Sequence, residues 1–451
     1  MKNSPGFFHS VCNLAIPVAL QSMLQASFSI IDQIMIGQLG SVSVAGVGLA
    51  GKFASMYSVI ISAVGAVAGI MISQYLGQRN SWQVRRSFLL NLMVALALAG
   101  LFTALCILFP SQIMGLYTTE GLMQAAAAGY LLIISATFLP IAGATLLSTL
   151  LRCLEKAHLP LYASIASAVI NTGLNYVLIF GKGGFSPMGA SGAAFATVIS
   201  QWCNFLLMLI MLYRHGGILR KQTEPQERNE GFNWAQYISM LVPILVCEFL
   251  WSLGENVYAA IYGHMGTDAS AAMMLINPIQ ALVIGALCGL SQAASVIVGK
   301  KLGNRDYADA YRAAWKLIQY GFIGSVILSV LVVTASPFYV QIYQVDPGVK
   351  LLTRRILLAY AAIAPFKVLN MIAGGGIIRS GGKTKYVMVI DMIGTWLFGV
   401  PLGLLSAFVW KLSIPYVYFL LSLEECVRFI LSVAVLHGKK WMQCLDAEQP
   451  E

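Results

Sequence analysis

The chain has 451 residues, of which 58% are hydrophobic and only 10% charged, with 28 Lys and Arg against 18 Asp and Glu for a net charge of +10. This balance describes a polytopic membrane protein and leaves no room for a separate soluble domain. The basic residues are spread over loops with no interleaved aromatic platform, so nucleic acid is not expected as a partner.

Apolar stretches long enough to cross a bilayer occur in the first half at Cys12 to Ile36, Val42 to Leu76, Ser87 to Pro110, Met123 to Leu151, Leu159 to Phe180 and Ala190 to Tyr213. The longest polar segment follows, from Arg214 to Asn233, and is too short for a core of its own. The second half then repeats the count at Ile238 to His264, Ala269 to Val298, Ala313 to Pro337, Ile356 to Ile378, Tyr386 to Trp410 and Leu412 to His437. The predicted fold is an all-α integral membrane protein of twelve transmembrane helices in two six-helix bundles. Its expected domains are residues 1–213, a connecting loop at 214–233, and residues 234–451.

The two halves are copies at an offset of 226 residues: Pro17, Gly37 and Gly40 recur as Pro243, Gly263 and Gly266. Leu76-Gly77-Gln78-Arg79-Asn80 likewise recurs as Leu302-Gly303-Asn304-Arg305-Asp306. Six helices per copy is an even number, so the repeat is parallel, with a pseudo-twofold axis expected along the membrane normal. A duplicated membrane protein of this kind is by default a transporter.

Of the 28 basic residues, 19 fall in the termini and loops of one side, from Lys2 through Arg79, Arg152, Arg214, Lys300 and Arg379 to Lys440. That bias predicts a cell inner membrane protein with both termini cytoplasmic and its basic loops against membrane lipid. Residues 1–10 lack the features of a cleaved signal peptide. The eight cysteines contain no C-x-x-C pair and read as small apolar residues.

No catalytic chemistry is expected. Gly381-Gly382-Lys383-Thr384 resembles the end of a phosphate-binding loop, but the required earlier glycine is Ile377, and the segment leaves a membrane helix instead of a strand. No nucleophile or metal motif is present, and five scattered histidines argue against a metal enzyme. The chain is read as a non-enzyme without cofactor, and any pumping must draw on an ion gradient.

Ten charged side chains lie inside the predicted spans, each costing roughly 2.5–3.5 kcal/mol if it sits near the bilayer centre. Glu424 and Glu425 precede Arg428 by four and three residues and form a local acid-base set. Lys316 and Lys52 can snorkel toward the interface, and Glu248 sits five residues past Pro243. Asp32 has Gln25 and Ser29 below it on the same face and no base within helical reach. Helix 5 supplies Asn171 and Asn175 one turn apart, beside Tyr176, and helix 6 supplies Ala193 and Thr197. Converging carboxylate, amide and hydroxyl oxygens would hold a proton or a hard cation, although asparagines also simply pack helices.

In helix 7, Glu255 is flanked by Trp251 and Tyr258, a setting suited to cationic amphipathic ligands or to an acid bonded to a neighbouring helix. Asp391 in helix 11 has Lys367 of helix 10 as its possible counter-ion, either as a structural pair or as part of a transport site.

At these residues the chain resembles the multidrug and toxic compound extrusion (MATE) family, bacterial branch. The matching stretches are Ile16-Pro17 through Asp32 to Gly40, Ser73 to Gly77, Leu151-Arg152, Asn171 to Gly181 and Gly192 to Ser200, with Pro243 to Gly266, Val298 to Asp306 and Ile378 to Gly382 in the second half.

The resemblance implies a V-shaped transporter with two six-helix lobes around a central cavity, exporting organic cations in exchange for protons or sodium ions. It makes Asp32, Asn171, Asn175, Ala193 and Thr197 the ion-coupling set, with Na+ held by Asp32, Asn171, Asn175 and Thr197 if sodium is the ion. It makes Glu255 the helix 7 acid of the cavity, with Lys367 and Asp391 carried over beside it, while Gln25, Trp251 and Tyr258 join the cavity set from their spacing along helices 1 and 7. Several relatives carry aspartate where this chain has Asn175, leaving one carboxylate in place of two. The expected activity is secondary antiport of amphipathic cationic small molecules by a monomer, with alternating access between the lobes. The alternative is a lipid-linked oligosaccharide or other metabolite exporter of the same superfamily.

Overall fold

The computed structural model describes residues 6–39, 41–118, 120–215, 233–341, 343 and 346–445. The predicted connecting loop therefore falls mostly outside the described residues, as do both chain ends. The described chain is almost entirely helical. In order, the long helices are α1 (Phe7–Gly37), α2 (Ser41–Gly77), α3 (Ser81–Leu108), α4 (Gly121–Cys153), α5 (His158–Phe180) and α6 (Gly189–His215), with one short helix, Pro110–Gly115, between α3 and α4. The second copy is α7 (Trp234–His264), α8 (Thr267–Gly303), α9 (Tyr307–Gln341), α10 (Pro347–Ile378), α11 (Thr384–Val409) and α12, which breaks at Leu423 into Ile414–Ser422 and Glu424–His437.

Eleven of these are each long and apolar enough to cross a membrane. The twelfth is interrupted where its two glutamates begin the second segment. The architecture is the expected all-α membrane fold of twelve helices.

Helix α3 shows how such helices pack. Its buried positions include Ser87, Asn91, Ala95 and Ala99, whereas Leu89, Met93, Leu101 and Leu105 face outward. Small and polar groups inside, large apolar groups outside, is the pattern expected where lipid solvates one face and close helix approach holds the other.

Contacts divide the chain into two compact units. One comprises residues 20–76 and 80–230; the other comprises 231–451 together with 1–19 and 77–79. Helix α1 is thus continuous, but its first 13 residues, Phe7 to Ala19 (19 − 7 + 1), group with the second copy. Ala15 backs directly onto Gly289 of α8, where any β-carbon would collide with its carbonyl, and Phe8 stacks edge-on against Tyr320 of α9 at 5.5 Å.

The sequence repeat is reproduced in backbone detail. Arg79 and Arg305 both adopt φ 58° in the turns after α2 and α8. Asn80 Oδ1 then accepts from Gln83 N at 3.1 Å, and Asp306 Oδ1 accepts from Asp309 N at 3.2 Å. A left-handed residue followed by a side-chain N-cap reverses the chain in both copies.

Candidate functional sites

In the N-terminal unit, α5 and α6 approach closely because Gly192 leaves room for the carbonyl of Leu178, 2.7 Å from where its β-carbon would stand. This presents the polar face of α5 to α6, where Ser167 Oγ donates to the Ser200 carbonyl at 2.8 Å. Asp32 of α1 enters the same layer. Asn175 Nδ2 donates to Asp32 Oδ1 at 2.7 Å and to Asn171 Oδ1 at 3.2 Å. Asn171 Nδ2 reaches Ser200 Oγ at 3.4 Å and Thr197 Oγ1 at 3.5 Å, while Thr197 Oγ1 donates to the Ala193 carbonyl at 2.9 Å.

The predicted set Asp32, Asn171, Asn175, Ala193 and Thr197 is therefore brought together. Gln25 is exposed outside it, and Tyr176 likewise points away. Asp32 is half-buried and makes no ion pair among the described residues.

Two details decide what this layer can hold. Asn175 is 1% exposed, yet its Oδ1 has no hydrogen-bond partner. Turning the Asn171 amide over would let its nitrogen donate to both Asp32 oxygens at 3.0 Å. With its oxygen toward Asp32, the amide instead suits a carboxyl that carries a proton. An unspent amide oxygen beside a carboxylate also fits a monovalent hard cation. No group of three or more His, Cys, Asp or Glu able to hold a metal occurs among the described residues.

The C-terminal unit contains a cavity of about 350 Å³, lined by Glu255, Tyr258, Tyr262, Tyr360, Tyr418, Lys367, Glu424 and Glu425 among others. Sequence reasoning selected Trp251 as an aromatic neighbour of Glu255, but Trp251 is 47% exposed and does not line the cavity. The tyrosines of α7, α10 and α12 do. Tyr258 is buried and its hydroxyl donates to Glu424 Oε2.

The proposed pairing of Asp391 with Lys367 is not what the structure shows. Asp391 Oδ1 lies 3.8 Å from Arg428 Nε, and its Oδ2 accepts from Cys247 Sγ at 2.7 Å. Lys367 has no ion pair among the described residues and turns into the cavity. Arg428 sits on the buried face of α12, whereas Lys367 lines the cavity together with Glu424 and Glu425.

Arg428 also meets Glu424 at 3.4 Å and Glu425 at 3.9 Å, as their spacing predicts, and donates to Thr395 Oγ1. Thr395 stands in a π-helical turn of α11, Ile393–Gly399. Such a turn inserts an extra residue and commonly marks a functional position. Within it, a β-carbon on Gly394 would collide with the Arg428 side chain, and one on Gly399 with Glu424 and Tyr258.

Several partners escaped sequence reasoning. Arg379, read as a loop base, folds back so that Nη1 donates to Glu248 Oε1 at 3.4 Å and Nη2 to Cys247 Sγ at 3.4 Å. Asn370 Nδ2 donates to Glu425 Oε2 at 2.8 Å. In the other unit, buried Gln21 donates to Ser164 Oγ at 2.7 Å and accepts from Arg152 Nη2 at 2.9 Å. The only sequence sign of that triad was Arg152 standing at the end of an apolar span.

Comparison with known proteins supplies the family. The profile described as MatE matches residues 17–177 and 243–405, two segments starting 226 residues apart (243 − 17). The chain is 24% identical over 448 residues to a protein of Thermotoga maritima named probable multidrug resistance protein NorM, covering 97% of this chain and 94% of that protein. It is 22% identical to the uncharacterized transporter YisQ of Bacillus subtilis, covering 96% and 95%. Among solved structures, the Vibrio cholerae MATE transporter VcmN superposes with a TM-score of 0.86 at 16% identity, covering 97% and 98% of the two chains. A Pyrococcus furiosus transporter of the MOP superfamily, described by the reverse polarity of its binding pocket, does so with 0.83 at 16% identity, covering 98% and 100%. The chain belongs to the MatE family of membrane transporters.

Proposed function

We propose that the protein is a secondary antiporter of the cell membrane that exports amphipathic organic cations in exchange for inward-moving protons or sodium ions. The observation that carries this reading is Asp32: a carboxylate inside a membrane helix, without a base, held by one amide and facing a second amide whose orientation can serve either protonation state. Taking a charge into that layer unpaired is costly, so the carboxylate is neutral or cation-bound whenever the layer is dry. Asn175 in place of a second carboxylate leaves one negative charge, enough for one proton or one weakly held sodium ion. Relatives named as multidrug resistance proteins support the cargo class.

Cargo is taken at the cavity of the C-terminal unit. Glu255, Glu424 and Glu425 outnumber Lys367 there, and the tyrosine rings add attraction for cations. The same excess of carboxylates disfavours the alternative reading as a carrier of pyrophosphate-linked sugars. Exchange requires that ion and cargo favour different states of the carrier, since a ligand shifts a two-state balance only by its differential affinity. Alternating access by movement of the two units supplies those states.

The test is efflux of ethidium from proteoliposomes under an imposed proton or sodium gradient. Wild type should respond to one of the two gradients, and Asp32→Asn should lose the response while still inserting. Undiminished gradient-driven efflux by Asp32→Asn would remove Asp32 from coupling.

A further inference from the structure

The antiport reading gives the cavity acids to cargo and leaves the charge cluster around Arg428 behind them without a role. In the C-terminal unit, three carboxylates (Asp391, Glu424 and Glu425) lie within 4 Å of a single base, Arg428. Three minus one leaves two negative charges there without an ion-pair partner of their own among the described residues. Salt bridges do not discharge such a surplus in a low-dielectric interior; protons or cations do.

The geometry says where. Arg428 is 7% exposed and faces three carboxylates at once, Glu424 at 3.4 Å, Asp391 at 3.8 Å and Glu425 at 3.9 Å. One guanidinium neutralises only one of them. Its Nε, directed toward Asp391, still lacks a hydrogen-bond partner. Glu424 is 6% exposed and reaches the 350 Å³ cavity, so water can deliver a proton to it. Gly399 lets Glu424 and Tyr258 pack against the α11 backbone, and Gly394 does the same for Arg428. The arrangement is built, with four helices contributing.

We infer that Glu424 is a proton-loading site of the C-terminal unit, separate from Asp32, and that Arg428 is the cation that proton loading redistributes. In the step, a proton arriving as hydronium in the cavity forms an O–H bond at Glu424 Oε1, leaves a water molecule behind, and breaks the ion pair with Arg428. The guanidinium stays protonated and is left to Asp391 and Glu425. Tyr258 keeps its hydrogen bond to Oε2 in both states. The groups that touch Glu424 or line the cavity with it are Tyr258, Tyr262 and Glu255 from α7, Lys367 and Tyr360 from α10, Gly399 from α11, and Glu425, Arg428 and Tyr418 from α12. On the far side of Arg428, Asp391 continues through Cys247 to Arg379 and Glu248, so the loaded charge is felt along an unbroken chain of contacts to the end of α10.

The test reads protons directly and needs no cargo. Infrared difference spectra of the full-length protein in detergent, recorded across a pH titration, report the C=O stretch of each carboxyl that gains a proton. Wild type and Asp32→Asn should share a titrating carboxyl band that Glu424→Gln lacks, and Tyr258→Phe should shift that band by removing its hydrogen bond. A Glu424→Gln spectrum that superimposes on wild type overturns the inference, as does loss of all titrating bands in Asp32→Asn. Should Glu424→Gln fail to fold, an unshifted band in Tyr258→Phe overturns it equally. Because Asp32→Asn efflux is measured separately, failure of the antiport reading would leave this result standing.

Discussion

Asn175 donates to Asp32 at 2.7 Å and leaves its own amide oxygen, deep in the N-terminal unit, with no partner. The donor end of the amide does what a second carboxylate could not, which is to tolerate a negatively charged Asp32. The acceptor end keeps one oxygen available for a cation.

Asn175→Asp should convert this layer into a tighter sodium site. Two charges about 4 Å apart repel by about 4 kcal/mol at an effective dielectric of 20, so a pair of carboxylates must share a proton or gather a cation. Sodium affinity should rise at least about tenfold, about 1.4 kcal/mol. Thermal stabilisation by sodium, with choline as the control cation, measures it; an unchanged sodium dependence would exclude Asn175 from the site.

Gly399→Ala places a methyl group against both Tyr258 and Glu424. Overpacking of this kind costs about 1–3 kcal/mol. Adding Tyr258→Phe removes one of the two colliding atoms, so the double variant should be more stable than the sum of the single changes implies. Unfolding in mixed micelles reports the coupling, and strict additivity would mean that Gly399 does not shape this contact.

Arg428→Met strands three carboxylates around an apolar side chain. Removing one partner of a buried ion pair costs about 3–5 kcal/mol. Glu424→Gln should return part of that loss in the Arg428→Met background by removing one of the stranded charges. Equal stability of Arg428→Met and wild type would mean that the guanidinium is not balancing these acids.

The paired caps offer a test of the repeat itself. Asn80→Ala and Asp306→Ala should each cost about 1 kcal/mol, and the two losses should add because the sites share no partner. Arg79→Gly and Arg305→Gly, both at φ 58°, should instead be neutral or stabilising by up to about 1 kcal/mol. A destabilising Arg79→Gly would show that the arginine side chain, not the backbone, matters at this turn.

Much of this was legible in the sequence because membranes simplify the problem. Apolar length placed the helices, and the 226-residue offset placed the duplication. Asp32, Asn171 and Asn175 stood out because polar groups in apolar spans are expensive. The spacing of Glu424, Glu425 and Arg428 predicted contacts along one helix. What could not be read was contact between helices distant in sequence. Asp391 was matched to Lys367 because both were buried charges of opposite sign, yet helical rotation gives it to Arg428 and Cys247. Arg379 reads as one more loop base, yet directly after Ile378 it meets Glu248 of α7 at 3.4 Å. Trp251 and Glu255 are near neighbours in sequence, but the cavity wall is made by tyrosines from three helices.

Helix α1 carries a consequence for how the protein could be taken apart. Cutting the chain between α6 and α7 would yield two polypeptides, each holding one full copy of the ancestral repeat. The second would nevertheless lack residues 1–19 and 77–79, which its compact unit recruits from the first. The segment that was copied is therefore not the segment that folds: heredity drew its border at the connector, and packing drew it through the middle of a helix. Co-expressed halves should assemble, whereas the second half alone should need Phe7 to Ala19 supplied in trans to reach its native state.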